Sequence, residues 1–282
     1  YPPEDRWGQA GFKNVLLRIA AAWRDDRDNI VASAGDAIRR LRQAVAARAA
    51  AGLKPAKSLL DACYRQIAAS YEPSHGGFGG PPKFPRPVSL NFMLRYYART
   101  GATNALDMSL FTLGKMADGG IRDHIGGGFH RYSVDTSWHM PHFEKMLYDQ
   151  AQLAESYLDA YQIAHDGFYA DVARDILDYI LRDMTGNDGQ FYSAEDADSP
   201  LPGNPSEHAE GAFYVWERRE IAAALDKEMA DIFAYHYGVE EKGNAPSDPQ
   251  GEFNGKNILI VRHTIAETGR KFGGTPDETG RL

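Results

Sequence analysis

The stretch HIGGGFHRYSVDTSWHMPHFEKMLYDQ, residues 124–150, joins two segments with helical periodicity and carries four histidines and a triple glycine. A connection whose only role is to join helices usually has two to eight residues. This one is much longer and is rich in titratable and aromatic groups. The stretch therefore predicts a helical frame with a functional site held in a long loop at one end of it.

Helical periodicity extends from this stretch in both directions. Apolar residues recur at spacings of three and four over residues 12–23, 31–45, 56–70, 88–99, 104–117, 144–164, 168–183, 217–225 and 228–237. From residue 56 onward, the connections between successive helices alternate between long and short. Antiparallel helices joined in this way place all their long loops at the same end of the assembly.

A Gly-x-Phe motif recurs in the long loops, at residues 76–78, 127–129, 189–191, 211–213 and 251–253. The first three copies fall once per helix pair, which predicts a repeated unit with a tight glycine turn and an aromatic plug. The sequence FHRYSV at 129–134 has the aromatic and β-branched character of a short strand. We predict a mainly all-α protein, an incomplete α/α toroid of helical hairpins with short β-hairpins in its long loops.

Composition narrows the classes of function. The net charge of −8 argues against a nucleic-acid binder, which would show a basic surface. The single cysteine, Cys63, excludes an intrachain disulfide and a CxxC redox or zinc motif. No apolar run approaches membrane-spanning length. We expect a cytoplasmic protein that uses no cofactor and has neither a nucleic-acid nor a membrane partner.

His139, His142 and Glu144 form a candidate proton-transfer group. Their H-x-x-H-x-E spacing differs from that of zinc helices, so we predict no metal. If Pro141 opens the next helix, His142 and Glu144 lie in its first turn. The helix dipole there lowers the affinity of histidine for a proton, which suits a general base. The alternative is simple capping, with ordinary Glu144–Tyr148 and Lys145–Asp149 helix pairs.

A second candidate group is the acidic segment FYSAEDADS at 191–199, with Glu195, Asp196 and Asp198. Crowded carboxylates raise one another's pKa, the arrangement by which glycosidases pair an acid with a base. The alternative is a solvated acidic loop with Asx turns. Glu210 is a weaker candidate of the same kind.

Aromatic and polar residues of the same loops are candidates for substrate binding. Aromatic faces beside carboxylates and histidines make a platform for a sugar ring, although the same residues also fill the mouth of a wide toroid. The residues we predict to bind substrate are Phe78, Arg131, Trp138, His139, Tyr192 and Asp198.

Three long motifs carry a resemblance to a known family. GGFGGPPKFPRP (76–87), residues 126–153, and FYSAEDADS followed by EGAFYVW (210–216) resemble thioredoxin-domain-containing proteins related to spermatogenesis-associated protein 20. The resemblance implies a thioredoxin-like domain followed by a six-hairpin toroid similar to N-acylglucosamine 2-epimerase and glycosidase domains. On this basis residues 1–50 would be the trailing segment of the thioredoxin-like domain and a connecting helix. Residues 51–282 would be the N-terminal part of the toroid, without its last hairpins.

The resemblance also implies a type of chemistry. In epimerase toroids, inward histidines and acids move a proton next to a carbonyl, which favours His130, His142, Glu144 and Glu195 by motif context. The first hypothesis is a sugar isomerase, epimerase or glycoside hydrolase acting on a small saccharide. His142 or His130 would be its base, and Glu144 or a residue of the acidic segment, such as Glu195 or Asp196, its acid. These side chains would converge on a single cavity.

The second hypothesis is non-catalytic. The toroid would be a scaffold that presents a ligand or client to the upstream thioredoxin-like domain, through which a redox partner would act. This hypothesis predicts a cavity filled by the chain's own Phe and Trp side chains, with the histidines and acids in structural hydrogen bonds.

Overall fold

Helices dominate the chain, as the periodicity predicts. The computed structural model describes residues 3–5, 8, 10–50, 57–245, 253–275 and 279. The chain divides into two compact units, residues 1–59 and 60–282. The first contains α1 (Phe12–Asp25) and α2 (Arg27–Ala50). None of the described helices combines the length and the apolar character needed to cross a bilayer.

The second unit contains the hairpins and the long loops. Its helices, the first of which begins just before the division, are α3 (Lys57–Ala68), α4 (Pro87–Thr100), α5 (Thr103–Asp118), α6 (Leu147–Ala164), α7 (Gly167–Asp183), α8 (Arg218–Ala224), α9 (Lys227–His236) and α10 (Ile265–Phe272). Its strands are β1 (Tyr132–Ser133), β2 (Pro141–His142), β3 (Lys145–Met146), β4 (Ala194–Glu195), β5 (Asp198–Leu201) and β6 (Asn204–Glu210). The strands form three antiparallel pairs, β1–β2, β3–β4 and β5–β6.

Two short links define the helical hairpins. Gly101, in the left-handed region at φ 73°, ends α4 and lets α5 turn back against it. The second link ends α6 at His165 and caps α7 through the Asp166 carboxylate, which accepts from the Phe168 N–H. The core packs the apolar faces of α4 to α7 together, with Leu90, Leu113 and Ile176 fully buried.

The long loops lie together at one end of the hairpins, because they pair with one another. Lys83 in the first long loop forms a two-way backbone bridge with Ser133 in the second. Lys145 in β3 pairs with Glu195 in the third long loop. The second unit thus has the α/α toroid arrangement of hairpins with short β-hairpins in its loops, and this fold class was predicted correctly.

The first three copies of the Gly-x-Phe motif share one backbone geometry. In each, the phenylalanine forms an antiparallel bridge to a residue near the start of the loop: Tyr71 with Phe78, Arg122 with Phe129, and Thr185 with Phe191. This confirms the predicted repeat for these three loops. Phe78 and Phe129 are buried plugs, whereas Phe191 is 55% exposed. Phe213 is 71% exposed and makes no such bridge, and residues 251 and 252 lie outside the described residues.

The start of α6 differs from the prediction. The helix begins at Leu147, not near Pro141, because β2 pairs with β1 of the same loop and β3 pairs with β4 of the third long loop. His142 and Glu144 therefore precede the helix and do not lie in its first turn. The predicted i, i+4 pair of Lys145 with Asp149 is also absent, since Lys145 binds Asp123 instead.

Two lysines are buried where the loops meet. The Lys83 ammonium donates to the Glu72 carboxylate and to the Thr136 carbonyl, and lies 4.8 Å from the ring centre of Trp138. The Lys145 ammonium donates to Asp123 at 2.8 Å and to the Gly127 carbonyl at 2.9 Å.

The first prediction concerns the close approach of a loop to α7. Gly128 has φ +74°, and an added Cβ would lie 2.6 Å from Tyr179 Cδ1, whereas Gly189, at φ +80°, has open space around it. Gly189→Ala should cost about 1–2 kcal/mol for the left-handed backbone alone. Gly128→Ala should cost about 1–3 kcal/mol more for overpacking, measured by urea denaturation. Equal losses for the two variants would contradict this account.

The second prediction concerns the ion pair between Lys145 and Asp123, whose side chains are 1% and 10% exposed. Lys145→Met leaves a buried carboxylate without its cation and should lower the free energy of unfolding by about 3–5 kcal/mol. The matched control is Lys115→Met on the exposed face of α5, which should change it by less than about 0.5 kcal/mol. A similar small loss for both variants in chemical denaturation would refute the role given to Lys145.

Candidate functional site

His142 is held between two carboxylates at the partly exposed edge of the loops. Its Nδ1 lies 2.6 Å from Glu210 Oε1, and its Nε2 lies 3.9 Å from Glu144 Oε2. Arg131 donates from Nη1 to the same Glu144 oxygen at 2.6 Å. We call these four residues the His142 cluster. Their side chains are between 25% and 36% exposed, so a ligand from solvent can reach them.

Strand geometry explains how the cluster forms. Successive side chains along an extended chain point to opposite faces, so His142 and Glu144 share one face and Phe143 takes the other. Phe143 is 1% exposed and anchors this segment in a small core with Val215 and Ile258. Glu210 arrives at the end of β6, where its carboxylate also accepts from the Phe143 N–H.

The carboxylates determine the protonation state of His142. The hydrogen bond from His142 to Glu210 raises the histidine pKa above its ordinary value of 6.5, outweighing partial burial, and the charges of Glu210 and Glu144 add to the effect. The same hydrogen bond lowers the pKa of Glu210. The sequence predicted a neutral His142 suited to act as a base. The structure instead favours the imidazolium, because the neighbouring groups are carboxylates and not a helix N-terminus.

An aromatic wall borders the cluster. The Tyr132 ring stacks on His142 with ring centres 4.9 Å apart, and Phe84, 39% exposed, packs on Tyr132. Tyr132 faces His142 because the two residues are direct cross-strand partners in the β1–β2 pair.

Asp149 is a further acid near the cluster that the sequence analysis missed. It lies in the first turn of α6 and is 8% exposed, and its Oδ2 is enclosed without a hydrogen-bond partner among the described residues. Burial raises its pKa to about 6, against a lowering effect of the Arg131 charge. An acidic residue in the first helical turn is so common that the sequence gives no signal of this burial.

His130 and Glu195, which were predicted to join His142, belong to a different group. The Glu195 carboxylate accepts from the hydroxyls of Tyr179 and Tyr214, and the rings of both tyrosines lie within 5.0 Å of the Lys145 ammonium. His130 is 2% exposed and packs edge-on against Phe143 and Tyr214. The structure does not bring the predicted residues into one cavity, because His130 is buried against Phe143 whereas His142 binds Glu210 at the partly exposed edge of the loops.

The other predicted acids remain in solvent. Asp196 and Asp198 are exposed, and the Asp196 carboxylate accepts from the Asp198 N–H, as in the alternative of an acidic loop with Asx turns. Tyr192 is 50% exposed in the same loop. Asp198 is the direct cross-strand partner of Glu210 in the β5–β6 pair, but no side-chain hydrogen bond joins it to the described members of the His142 cluster.

Three predicted substrate-binding residues are structural. Trp138 is fully buried and donates from Nε1 to the His75 carbonyl, and Phe78 is 2% exposed in the main core. Both are unavailable to a ligand because the long loops close over them. His139 is turned away from the cluster: its Nε2 is enclosed, and burial lowers its pKa while the nearest charges are those of Asp135, Arg262 and Glu240.

Metal binding finds no support among the described residues, since they contain no group of three His, Cys, Asp or Glu side chains arranged to hold an ion. The His142 cluster has one imidazole and two carboxylates, but one carboxylate is bound to the imidazole and the other to Arg131.

Comparison with known proteins places this helical toroid in a family. The chain is 42% identical to human spermatogenesis-associated protein 20 and 41% identical to the mouse protein, in each case over 97% of its residues. It is 38% identical over 92% of its residues to an uncharacterized protein of Caenorhabditis elegans. The chain spans about a third (37%) of the length of these relatives. Over this shared segment the chain belongs to the spermatogenesis-associated protein 20 family, as predicted.

Other comparisons are more distant. No family model matches the chain. Among solved structures, a sugar epimerase from a ruminal bacterium superposes on 62% of this chain and 46% of its own, with a TM-score of 0.44 and 17% identity. A cellobiose 2-epimerase from Bacillus thermoamylovorans superposes on 50% of this chain and 42% of its own, with a TM-score of 0.43 and 12% identity.

The third prediction tests the electrostatics of the cluster. NMR titration of the His142 ring should give a pKa above 6.5, and Glu210→Gln should lower it, because the neutral amide no longer favours the imidazolium. Glu207→Gln, an exposed carboxylate in the same strand, is the control and should leave this pKa unchanged. An unshifted His142 in Glu210→Gln would show that the pair does not form in solution.

The same pair predicts a pH window for stability. A raised histidine pKa contributes stability that is complete below about pH 6.5 and lost as pH rises through the folded-state pKa. The lowered pKa of Glu210 contributes stability above about pH 4.5 that is lost as pH falls. Glu210→Gln should therefore destabilise the protein most between these two pH values.

Proposed function

We propose that the His142 cluster is a proton-transfer site for a small saccharide, in an isomerase-, epimerase- or glycoside-hydrolase-like reaction. The observation that carries the proposal is the unequal use of the two imidazole nitrogens. Nδ1 is engaged by Glu210 at 2.6 Å, whereas Nε2, 3.9 Å from Glu144, is beyond hydrogen-bond distance. A proton on Nε2 is thus available to a ligand.

The roles of the four residues follow from their contacts. Glu210 fixes the ring orientation and stabilises the imidazolium, as a carboxylate does for a catalytic histidine in other enzymes. His142 donates its Nε2 proton to a carbonyl or glycosidic oxygen and, once neutral, accepts a proton in return. Glu144 lies 3.9 Å from Nε2 and binds Arg131, so these two residues offer an acceptor and a donor to sugar hydroxyl groups.

The saccharide class rests on two observations. Phe84 is 39% exposed and packs on Tyr132, which in turn stacks on His142, so an apolar ring lies close to the polar cluster. This combination suits the apolar face and hydroxyl edge of a sugar. The loop motifs also resemble those of proteins whose toroid is similar to epimerase domains.

The fourth prediction concerns catalysis. The intact protein should exchange the C2 hydrogen of a reducing sugar with D₂O, read by NMR, if it isomerises, or release new reducing ends from an oligosaccharide if it hydrolyses. His142→Gln should lower the rate by about 10²–10⁴-fold, the usual contribution of a general acid–base residue. Glu210→Gln should lower it less and shift the pH profile to lower pH.

The control for this experiment is His208→Gln, an exposed histidine on β6 that lies outside the cluster, which should keep full activity. Thermal melts should show that His142→Gln remains folded. Equal activity of His142→Gln and His208→Gln across a panel of active substrates would refute the proposed role.

A non-catalytic binding module is the second candidate function. The burial of Phe78 and Trp138 favours it, because that hypothesis predicted aromatic side chains that fill the structure and do not face a ligand. Saccharide binding that stabilises the protein in thermal shift without turnover of any sugar would support this candidate over the enzyme.

A further inference from the structure

A cavity separate from the His142 cluster lies beside Phe143. Its volume is about 460 Å³, within the range of small-molecule binding sites. It is lined by residues of the second and third long loops and of the segment before α10, among them His130, Phe143, Phe213, Tyr214, Trp216 and Ile258. Aromatic and aliphatic side chains make up most of its wall.

His130 is the polar group of interest in this wall. Its Nδ1 lies 3.0 Å from the Phe143 carbonyl oxygen, which can only accept, so Nδ1 carries the ring hydrogen. Burial lowers the pKa of His130 to about 3, and the Lys145 charge adds to this effect, so the ring stays neutral. Its Nε2 is therefore a bare acceptor.

Nε2 of His130 makes no hydrogen bond to the residues that the structure describes. Among those residues, three side-chain nitrogen or oxygen atoms are enclosed and unpaired, Arg131 Nε, His139 Nε2 and Asp149 Oδ2, and His130 Nε2 is not one of them. An unpaired atom that is not enclosed faces open space. For a side chain that is 2% exposed, that open space is the cavity which His130 lines.

The charged groups around the cavity already have partners. Asp123 is bound by Lys145 at 2.8 Å, and Arg122 lies 3.3 Å from Asp175. Glu220 accepts from the Glu217 N–H and lies 3.4 Å from Lys256. A charged ligand would lose hydration without gaining a counter-ion here, so the cavity favours an uncharged one.

We propose that this cavity binds an uncharged, planar ring compound that directs one N–H or O–H donor at Nε2 of His130. The aromatic wall contacts the faces of the ring, and the acceptor at Nε2 of His130 fixes its orientation. The site is separate from the His142 cluster and does not depend on the proposed function of that cluster.

Indole and benzofuran are matched probes for this site. They have nearly the same size and shape, but only indole has an N–H. Calorimetric titration of the intact protein should show indole binding about tenfold or more tightly than benzofuran, because benzofuran leaves the buried acceptor unpaired. Indole affinity should be constant between pH 5 and 8, since the ring of His130 does not titrate there.

Substitution of two exposed phenylalanines tests whether indole binds in this cavity. Phe213 lines the cavity and is 71% exposed, so Phe213→Ala should weaken indole binding without unfolding the protein. Phe191, 55% exposed and outside the cavity wall, is the control, and Phe191→Ala should bind indole normally.

Three results would overturn the proposal. Equal affinities for indole and benzofuran would show that no donor reaches Nε2. An equal effect of Phe213→Ala and Phe191→Ala would place the binding elsewhere. Absence of indole binding up to its solubility limit would show that the cavity does not accept such a ring in the intact protein.

Discussion

The buried ammonium of Lys145 is the interaction on which the loop end of this structure depends. It binds Asp123 and the Gly127 carbonyl within its own loop, and it lies against the rings of Tyr179 in α7 and Tyr214 in the next loop. Burial alone would raise the pKa of Asp123, but the lysine charge and the hydrogen bonds from Lys145 and the Gly126 N–H hold it below its ordinary value. One cation thereby joins two loops and a helix.

The backbone of residues 142–144 places chemically different side chains on opposite faces of the segment. Residues 142–144 run from β2, which pairs with β1 of the same loop, to β3, which pairs with β4 of the next long loop. The pleat then sends His142 and Glu144 to the partly exposed face and Phe143 to the opposite face. The carboxylates on one side favour a charged imidazole at His142, whereas burial on the other side keeps His130 neutral. Two histidines twelve residues apart thus occupy opposite electrostatic environments.

The apolar periodicity of the sequence predicted most of the helices. The predicted helices agree with the observed ones to within about five residues, but α10 was not predicted. Helices α4 to α7 bury one apolar face against a neighbour, whereas α1 and α3 contain no buried residue. At α6, the first-turn signals at Pro141 and Glu144 were outweighed by strand pairing with segments 10 and 50 residues away in sequence. Such pairing leaves no periodic signal in a segment two residues long. The predicted division of the chain at residue 50 and its thioredoxin-like assignment stay predictions.

The sequence by itself determined the hairpins, the repeated glycine turns and the family, because these depend on local periodicity and on long contiguous motifs. It also placed Arg131, His142 and Glu144 together, since they lie within one loop. Only the tertiary structure decided that Glu210, 68 residues away, is the partner of His142, and that Trp138 and Phe78 are core. The physical reason is that burial and pKa depend on which loops meet in space, and that meeting is decided by long-range contacts such as those of Lys145.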